Sequence, residues 1–472
     1  MTMRTFQRTV RAPVPVDALF AWHERADAFT RLAPPWDAPR VLEHTGGIRD
    51  GARVALQVHV GPIATTWRLE HREYIANQQF VDVMHEGPFA HWRHTHRFTA
   101  DGPNASVLED HIEYALPMGA LGDTIGGDFA ECTLARVFAY RHELMLADLT
   151  RHAEYALRLR MRVAITGASG FIGTQLAAFF STGGHDVLRI GRGPVVAGVT
   201  DITWNPERGQ LDARALEGVD AVIHLAGASI SERWTDAHRA AIRNSRVEGT
   251  SLLAHTLAGL ERKPRVLVSG SAIGVYGSRG DEALTESSTI GRDYLAETAA
   301  LWEAATAPAA RAGIRVVHAR TGIVQGAAGG ALAKQAPLFR FGVGGALGDG
   351  TQWLSAIALD DVIGALHFCV MRDDMVGAVN LVAPAAMTNA EYTSVIARVL
   401  HRPSLARVPA FVLRLVLGEE MANLTVLASQ RVVPSRLLDA GFAFRLPTVE
   451  SMLRFELGVS RLKEPNHHVA RP

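Results

Sequence analysis

The chain is short of lysine, of cysteine and of any excess charge. Lys263, Lys334 and Lys463 are its only lysines among 48 basic residues, so chemistry that needs an amine has few places to sit. Its two cysteines, Cys132 and Cys369, are far apart in sequence, which excludes a disulfide framework, and neither lies in a metal-type spacing. Basic and acidic residues balance at 48 each, so no global field points to nucleic acid. No apolar run reaches the ~18–20 residues that span a bilayer. The segment Met1 to Phe6 has no apolar core of a signal peptide. These absences predict a cytoplasmic protein without a membrane span. What remains is a chain of 472 residues, 48% of them hydrophobic, long enough for two or three globular domains.

The sharpest punctuation falls near Met161. Before it, mixed apolar and charged residues from Asp128 to Leu159 predict a long helix. After it, Arg162 to Thr166 reads as a strand entering a glycine-rich turn. The first 155 residues alternate with period two over Phe6–Val10, Arg53–Val60, Thr65–Tyr74, Gln79–His85, His91–Phe98 and Ser106–Tyr114, which predicts strands. Val14 to Leu32 reads as helix, stopped by Pro34-Pro35. This order predicts an antiparallel sheet curved around a long helix, with an apolar cavity between them. His94 and His96 fall on one strand face with Trp92 and Phe98, while His91 points away. With no carboxylate or cysteine nearby in sequence, they predict cavity lining or cross-strand pairs, and no metal site is expected.

The segment Val14 to Trp22, the run Trp92 to Phe98 and the order of elements resemble the START-like (polyketide cyclase/dehydrase-like, SRPBCC) superfamily over residues 3–155. The resemblance implies an α+β helix-grip domain with a pocket for an apolar ligand.

The strongest chemical signal is Thr166-Gly167-Ala168-Ser169-Gly170-Phe171-Ile172-Gly173, set between a strand and a helix. Gly167 permits the tight turn, Gly170 lets the backbone approach a pyrophosphate, and Gly173 lets helix and strand pack closely. The helix N-terminus offers free N–H groups to phosphate. At the end of the next strand, Gly191-Arg192 stands where NAD enzymes carry an acid. Arginine there suits a 2′-phosphate, so NADP(H) is the expected cofactor. A further strand, Ala221–Leu225, runs into Ala226-Gly227; His224 within it reads as a buried, hydrogen-bonded histidine. Asp360-Asp361 reads as a helix N-cap.

From Met161 to about Gly458 the chain resembles the extended short-chain dehydrogenase/reductases. More narrowly, it resembles an atypical NADP-binding, nucleoside-diphosphate-sugar epimerase-like subfamily. The matching pieces include His224-Leu225-Ala226-Gly227, Asn244-Ser245-Arg246, Ser269 to Ala272, Val275-Tyr276-Gly277, Gly348 to Gln352 and Gln430 to Pro434. The resemblance implies an α/β Rossmann fold, a doubly wound parallel sheet with a small C-terminal substrate lobe. It implies that Gly191, Arg192, Leu225, Ala226, Gly227 and Arg246 lie near the cofactor. It also implies a catalytic serine, matched by Ser271 or its neighbour Ala272, and a Tyr-x-x-x-Lys pair, of which Tyr294 is present. Thr298 stands where the lysine would lower the tyrosine pKa. The expected division is 1–155 for ligand binding, 161–400 for the NADP site and 401–460 for the C-terminal module. The expected function is an NADP(H)-dependent oxidoreductase or epimerase on a small organic or sugar-like substrate. The rival is a non-catalytic NADP(H) sensor or ligand carrier.

Overall fold

The computed structural model describes residues 2–60, 63–404 and 406–459; Lys463 and positions 405 and 460 of the C-terminal module lie outside the described residues. Among the described residues the first half of the N-terminal unit runs β1 (Arg4–Ala12), α1 (Val16–Glu24), α2 (Ala28–Leu32), β2 (Arg40–Thr45) and β3 (Arg53–Val60). Then follow β4 (Ile63–Ile75), β5 (Gln79–Glu86), β6 (His91–Ala100), β7 (Ser106–Ala115) and α3 (Gly119–Ala153). The strands form one antiparallel sheet in the order β1-β7-β6-β5-β4-β3-β2. The helix expected over Val14–Leu32 is two helices, and β2 is a strand that periodicity did not announce.

Helix α3 explains its own blurred sequence pattern, because both its sides are covered. Ala130, Leu134 and Phe138 pack under Trp92, Ile112 and Tyr114 of the sheet. Met145 and Leu149 continue that stripe against Phe20, Phe98 and Leu108. Tyr140 and Leu144 face the other way, into a core built with Tyr392, Leu453 and Phe455 from the C-terminal part of the chain. A helix apolar on two sides shows no single 3.6-residue stripe.

Beyond Met161 the chain forms β8 (Arg162–Thr166), α4 (Phe171–Thr182), β9 (Asp186–Gly191), β10 (Ile202–Asn205), β11 (Gln210–Leu211), β12 (Ala221–His224) and α5 (Asp236–Gly259). It continues with β13 (Val266–Ala272), α6 (Tyr294–Ala304), β14 (Arg315–Thr321), α7 (Leu359–Met371), β15 (Gly377–Leu381) and α8 (Val449–Glu456). Strands β11-β10-β9-β8-β12-β13-β14-β15 make one sheet, parallel except at the β10–β11 edge. Val163, Ile165 and Ile223 point to the face covered by α4 and α7, while Ala164 and Val222 point to the face covered by α5. Burial on both faces is why these strands read as continuous apolar runs. The order reverses between β8 and β12, so a crevice opens at their C-terminal ends.

The two parts of the chain meet in a buried ionic cluster. Arg31 of α2 donates to both oxygens of Asp148 on α3, at 2.6 and 2.8 Å, and to Asp360 on α7 at 2.8 Å. Arg151 of α3 reaches Asp360 at 2.9 Å and Asp361 at 3.0 Å. Arg445 reaches Asp360 at 2.7 Å and Glu143 at 3.0 Å. Burial alone would raise the Asp360 carboxyl, but Arg151, Arg445 and Arg31 hold it well below the usual carboxylate range. Asp360 and Asp361 thus sit in the first turn of α7 without capping it; the N-cap is Ala358. Arg136 of α3 adds bonds to the carbonyls of Leu457 and Gly458, just past the end of α8.

Candidate functional site

The β8–α4 turn lies in the crevice where the strand order reverses. Gly167 has φ +70°, and a Cβ there would stand 3.0 Å from the Ala226 nitrogen. Gly173, in the first turn of α4, would drive a Cβ to 2.1 Å from the Gly167 carbonyl oxygen and 2.8 Å from the Ala168 Cα. Only a residue without a Cβ lets the helix start so close under the loop. Gly170 is the N-cap of α4 and has no side-chain cap. Its own N–H turns inward to the Gly167 carbonyl, at 2.9 Å. Ser169 and Gly170 are exposed, whereas Phe171 and Ile172 are half-buried. The Phe171 ring lies under the backbone of Gly326 and Gly329, where any Cβ would strike it.

Across the crevice, Thr166 Oγ1 accepts the N–H groups of Leu225 and Ala226 at 3.1 and 3.2 Å, tying the ends of β8 and β12 together. His224 is fully buried between Thr166 (2.6 Å) and Thr250 (2.9 Å), and burial pushes it down to about 4. It is a buried, hydrogen-bonded core histidine, as its sequence context predicts. Arg246 of α5 comes up beneath Gly227, its Cζ 3.4 Å from where a Gly227 Cβ would stand. Its guanidinium bonds the carbonyls of Ala228 (3.1 Å) and Ile242 (3.0 Å) and lies over the Trp302 ring at 5.1 Å. Among the described residues no carboxylate pairs with it, and burial lowers its pKa. Arg192 follows the last residue of β9 and is exposed; Gly191 before it packs on Thr200.

Ser271 and Tyr294 have separate partners. Ser271, at the end of β13, donates to Glu303 at 2.7 Å. That carboxylate is gripped by Arg320 with two bonds of 2.8 Å. Arg320 in turn donates to the Tyr276 hydroxyl, which donates to Asn380 at 2.6 Å. Tyr276 is therefore a buried brace. Tyr294 opens α6, and its hydroxyl donates to the Arg239 carbonyl at 2.6 Å. Its ring sits on Trp234 and under the Arg239 guanidinium, 4.7 Å away. Thr298 is buried one turn further on. Of the lysines, Lys263 bonds the Leu260 carbonyl at 2.7 Å, before the start of β13.

A second group of polar side chains lies in the N-terminal unit. A cavity of about 120 Å³ is lined by Trp67, Phe80, Trp92, His71, Asp82, His94, His96 and Arg141, among others. Here the expectation of no nearby carboxylate fails. Strand register sets Asp82 of β5 opposite His94, and Asp110 of β7 opposite His96. His94 Nε2 lies 2.9 Å and His96 Nδ1 2.8 Å from Asp110 Oδ1, and His142 of α3 lies 2.5 Å from Oδ2. His96 Nε2 is 3.2 Å from Asp82 Oδ2. Burial drives the His94 imidazole down to about 4; it acts on His96 too, but Asp110 and Asp82 outweigh it and raise that ring to about 9. Alternation along β6 foretold the shared face of His94 and His96. The acids on neighbouring strands, and His71 and His142, had no signal in linear sequence because register brings them in.

Residues 163–381 match the NAD dependent epimerase/dehydratase family, and residues 12–139 match the polyketide cyclase / dehydrase and lipid transport family. Residues 408–456 match a domain of unknown function. An epimerase family protein of Mycobacterium bovis is 40% identical over 294 residues, which are 62% of this chain and 96% of that protein. One from Bacillus subtilis is 34% identical, over 62% of this chain and 97% of its own length. Among solved structures, a nucleoside-diphosphate sugar epimerase from Corynebacterium glutamicum superposes with TM-score 0.79 at 31% identity, covering 97% of this chain and 91% of that one. The human epimerase family protein SDR39U1, solved with NADPH, superposes with TM-score 0.58 at 28% identity, covering 64% of this chain and all of that one. No helix among the described residues is long and apolar enough to cross a membrane. With a Rossmann-type sheet, a glycine-lined turn at its reversal point and relatives matched over nearly their whole length, the chain belongs to the epimerase family.

Proposed function

We propose that residues 161–400 form an NADP(H)-binding domain of an oxidoreductase or epimerase-like enzyme acting on a small organic or sugar-like substrate. In this reading residues 401–460 complete the substrate lobe. The observation that carries it is the packing of Gly173 on Gly167, which sets the N-terminus of α4, without a side-chain cap, at the point where the strand order reverses. The chain's own groups suit a dinucleotide. Backbone N–H groups of Ser169, Phe171 and Ile172 would hold the pyrophosphate, Gly170 giving it room to approach, with Gly191, Leu225, Ala226 and Gly227 lining the crevice. Arg246, a half-buried cation without a carboxylate partner among the described residues, would add charge for the phosphates. Arg192, exposed at the end of β9, would take the 2′-phosphate. The nicotinamide, when bound, would supply or accept a hydride. The NADPH of the human relative supports the same choice.

The test is a fluorescence titration with NADPH and NADH. The parent is expected to bind NADPH more tightly, and Arg192→Ala to lose about 1–3 kcal/mol of NADPH binding, the scale of a charge-assisted hydrogen bond, with NADH unchanged. Equal affinity of the parent for both cofactors would refute the preference.

The N-terminal residues 1–155 we read as a START-like helix-grip domain fused to this unit and taking an apolar ligand, supported by the cavity under the sheet and by the family match. One observation favours the non-catalytic reading, an NADP(H) sensor or carrier. The Tyr294 hydroxyl is spent on the Arg239 carbonyl, and the buried Thr298 brings no cation to it. Ser271, bound to Glu303, is then left without a tyrosine partner of activated kind.

A further inference from the structure

The cavity of the N-terminal unit has a donor set on its wall that neither the epimerase chemistry nor an apolar ligand requires. Asp82, His94 and His96 each offer one ligand atom, all within 4.8 Å of one another. The Asp82 Oδ2 oxygen lies 3.2 Å from His96 Nε2 and 3.6 Å from His94 Nδ1. Ligand atoms held about 2.0–2.2 Å from a tetrahedral ion stand about 3.3–3.6 Å apart, which the two distances from Asp82 nearly meet.

The protons favour a cation at this point. Asp110 accepts from His94 Nε2 at 2.9 Å, so that nitrogen carries the hydrogen. In the neutral ring Nδ1 is then a bare lone pair. It faces the Asp82 carboxylate across 3.6 Å, acceptor against acceptor. The set is also backed from behind. Asp110 Oδ1 lies 2.8 Å from His96 Nδ1, outside good hydrogen-bond geometry, and Asp110 is itself held by His142 at 2.5 Å. The other Asp82 oxygen lies 2.5 Å from His71 Nδ1, and neither atom has a partner in good hydrogen-bond geometry. A carboxylate hydrogen-bonded behind a ligating histidine, as Asp110 is behind His94, is how metal sites fix ring orientation and raise ligand basicity.

We propose that Asp82, His94 and His96 bind one divalent transition-metal ion, of the zinc or iron(II) type, with a coordination position open to the cavity. Two imidazoles and one carboxylate suit those ions. Calcium and magnesium demand more oxygen ligands than the site offers. The metal takes the place of the hydrogen between His96 Nε2 and Asp82 Oδ2, so one proton leaves as the ion enters. The same cavity is lined by Trp67, Phe80, Trp92 and Arg141. The ligand it suits is an apolar molecule bearing one oxygen donor, a carboxylate or enolate, which the ion and Arg141 would hold together.

The experiment uses the full-length protein, stripped with chelator, freed of it and titrated calorimetrically with zinc sulfate. One equivalent is expected to bind. His94→Gln, His96→Gln and Asp82→Asn should each weaken binding at least about 100-fold, and Asp110→Asn about 10- to 100-fold. His85→Gln, an exposed histidine on β5, should change nothing. Cobalt(II) gives a readout independent of the variants: visible bands of a four- or five-coordinate nitrogen/oxygen site in the parent. Absence of stoichiometric zinc binding at tens of micromolar, a six-coordinate aquo-type cobalt spectrum, or undiminished binding in folded Asp82→Asn and His94→Gln proteins would each overturn the proposal.

Discussion

Arg31 ties the two parts of the chain together, and its removal has a calculable result. Its guanidinium is 2% exposed and makes two bonds to Asp148 and one to Asp360. In Arg31→Met the aliphatic stem stays and the charge goes. Asp360 keeps Arg151 and Arg445. Asp148 keeps no direct ion pair among the described residues, although it is fully buried. Stripping one partner from a buried pair costs about 3–5 kcal/mol, because the surviving charge is stranded. The expected loss in urea unfolding, followed by tryptophan fluorescence of the full chain, is in that range at pH 7.5. It should shrink at pH 5, where the stranded carboxylate enters the fold protonated. Arg31→Met/Asp148→Leu should recover most of it, since a well-packed apolar pair replaces an ion pair at little net cost. A loss below about 1 kcal/mol, or a double variant as unstable as the single, would refute the argument.

Acid sensitivity should come from buried neutral histidines. His224 is held at about 4 by burial and the nearby Arg246, and His367 at about 3 by burial, His185 and Arg151, against about 6.5 in the unfolded chain. A depressed histidine leaves stability unchanged above the unfolded pKa and costs stability as pH falls through that value toward the folded one. At pH 5 the His224 contribution is about 2 kcal/mol; His224→Gln should reduce the parent's loss between pH 7 and pH 5 by about that amount, and an unchanged pH slope in urea midpoints would refute it. Tyr294→Phe should leave NADPH affinity nearly unchanged and turnover over a carbonyl panel slow in both proteins, read as NADPH oxidation. Brisk parent turnover abolished by Tyr294→Phe would remove the sensor reading.

The sequence carried the features that are local in the chain. A positive φ at Gly167 and the missing Cβ at Gly173 are requirements within one strand–turn–helix unit, so eight consecutive residues display them. The same holds for the apolar strands β8 and β12 and for the alternation that puts His94 and His96 on one face. The buried, hydrogen-bonded state of His224 was also legible, because the strand around it is apolar. Arrangements between distant segments were decided by tertiary structure alone. Asp82 and Asp110 meet the histidines through strand register, and each strand by itself looks like any amphipathic strand. Arg31 and Asp360 are 329 residues apart, so Asp361 and its neighbour looked like ordinary helix-start acids. Helix α3 lost its stripe because two different cores claim its two sides. Chain-local rules fix which backbone shapes and faces are allowed; the pairing of charges across elements depends on which faces the whole molecule brings together.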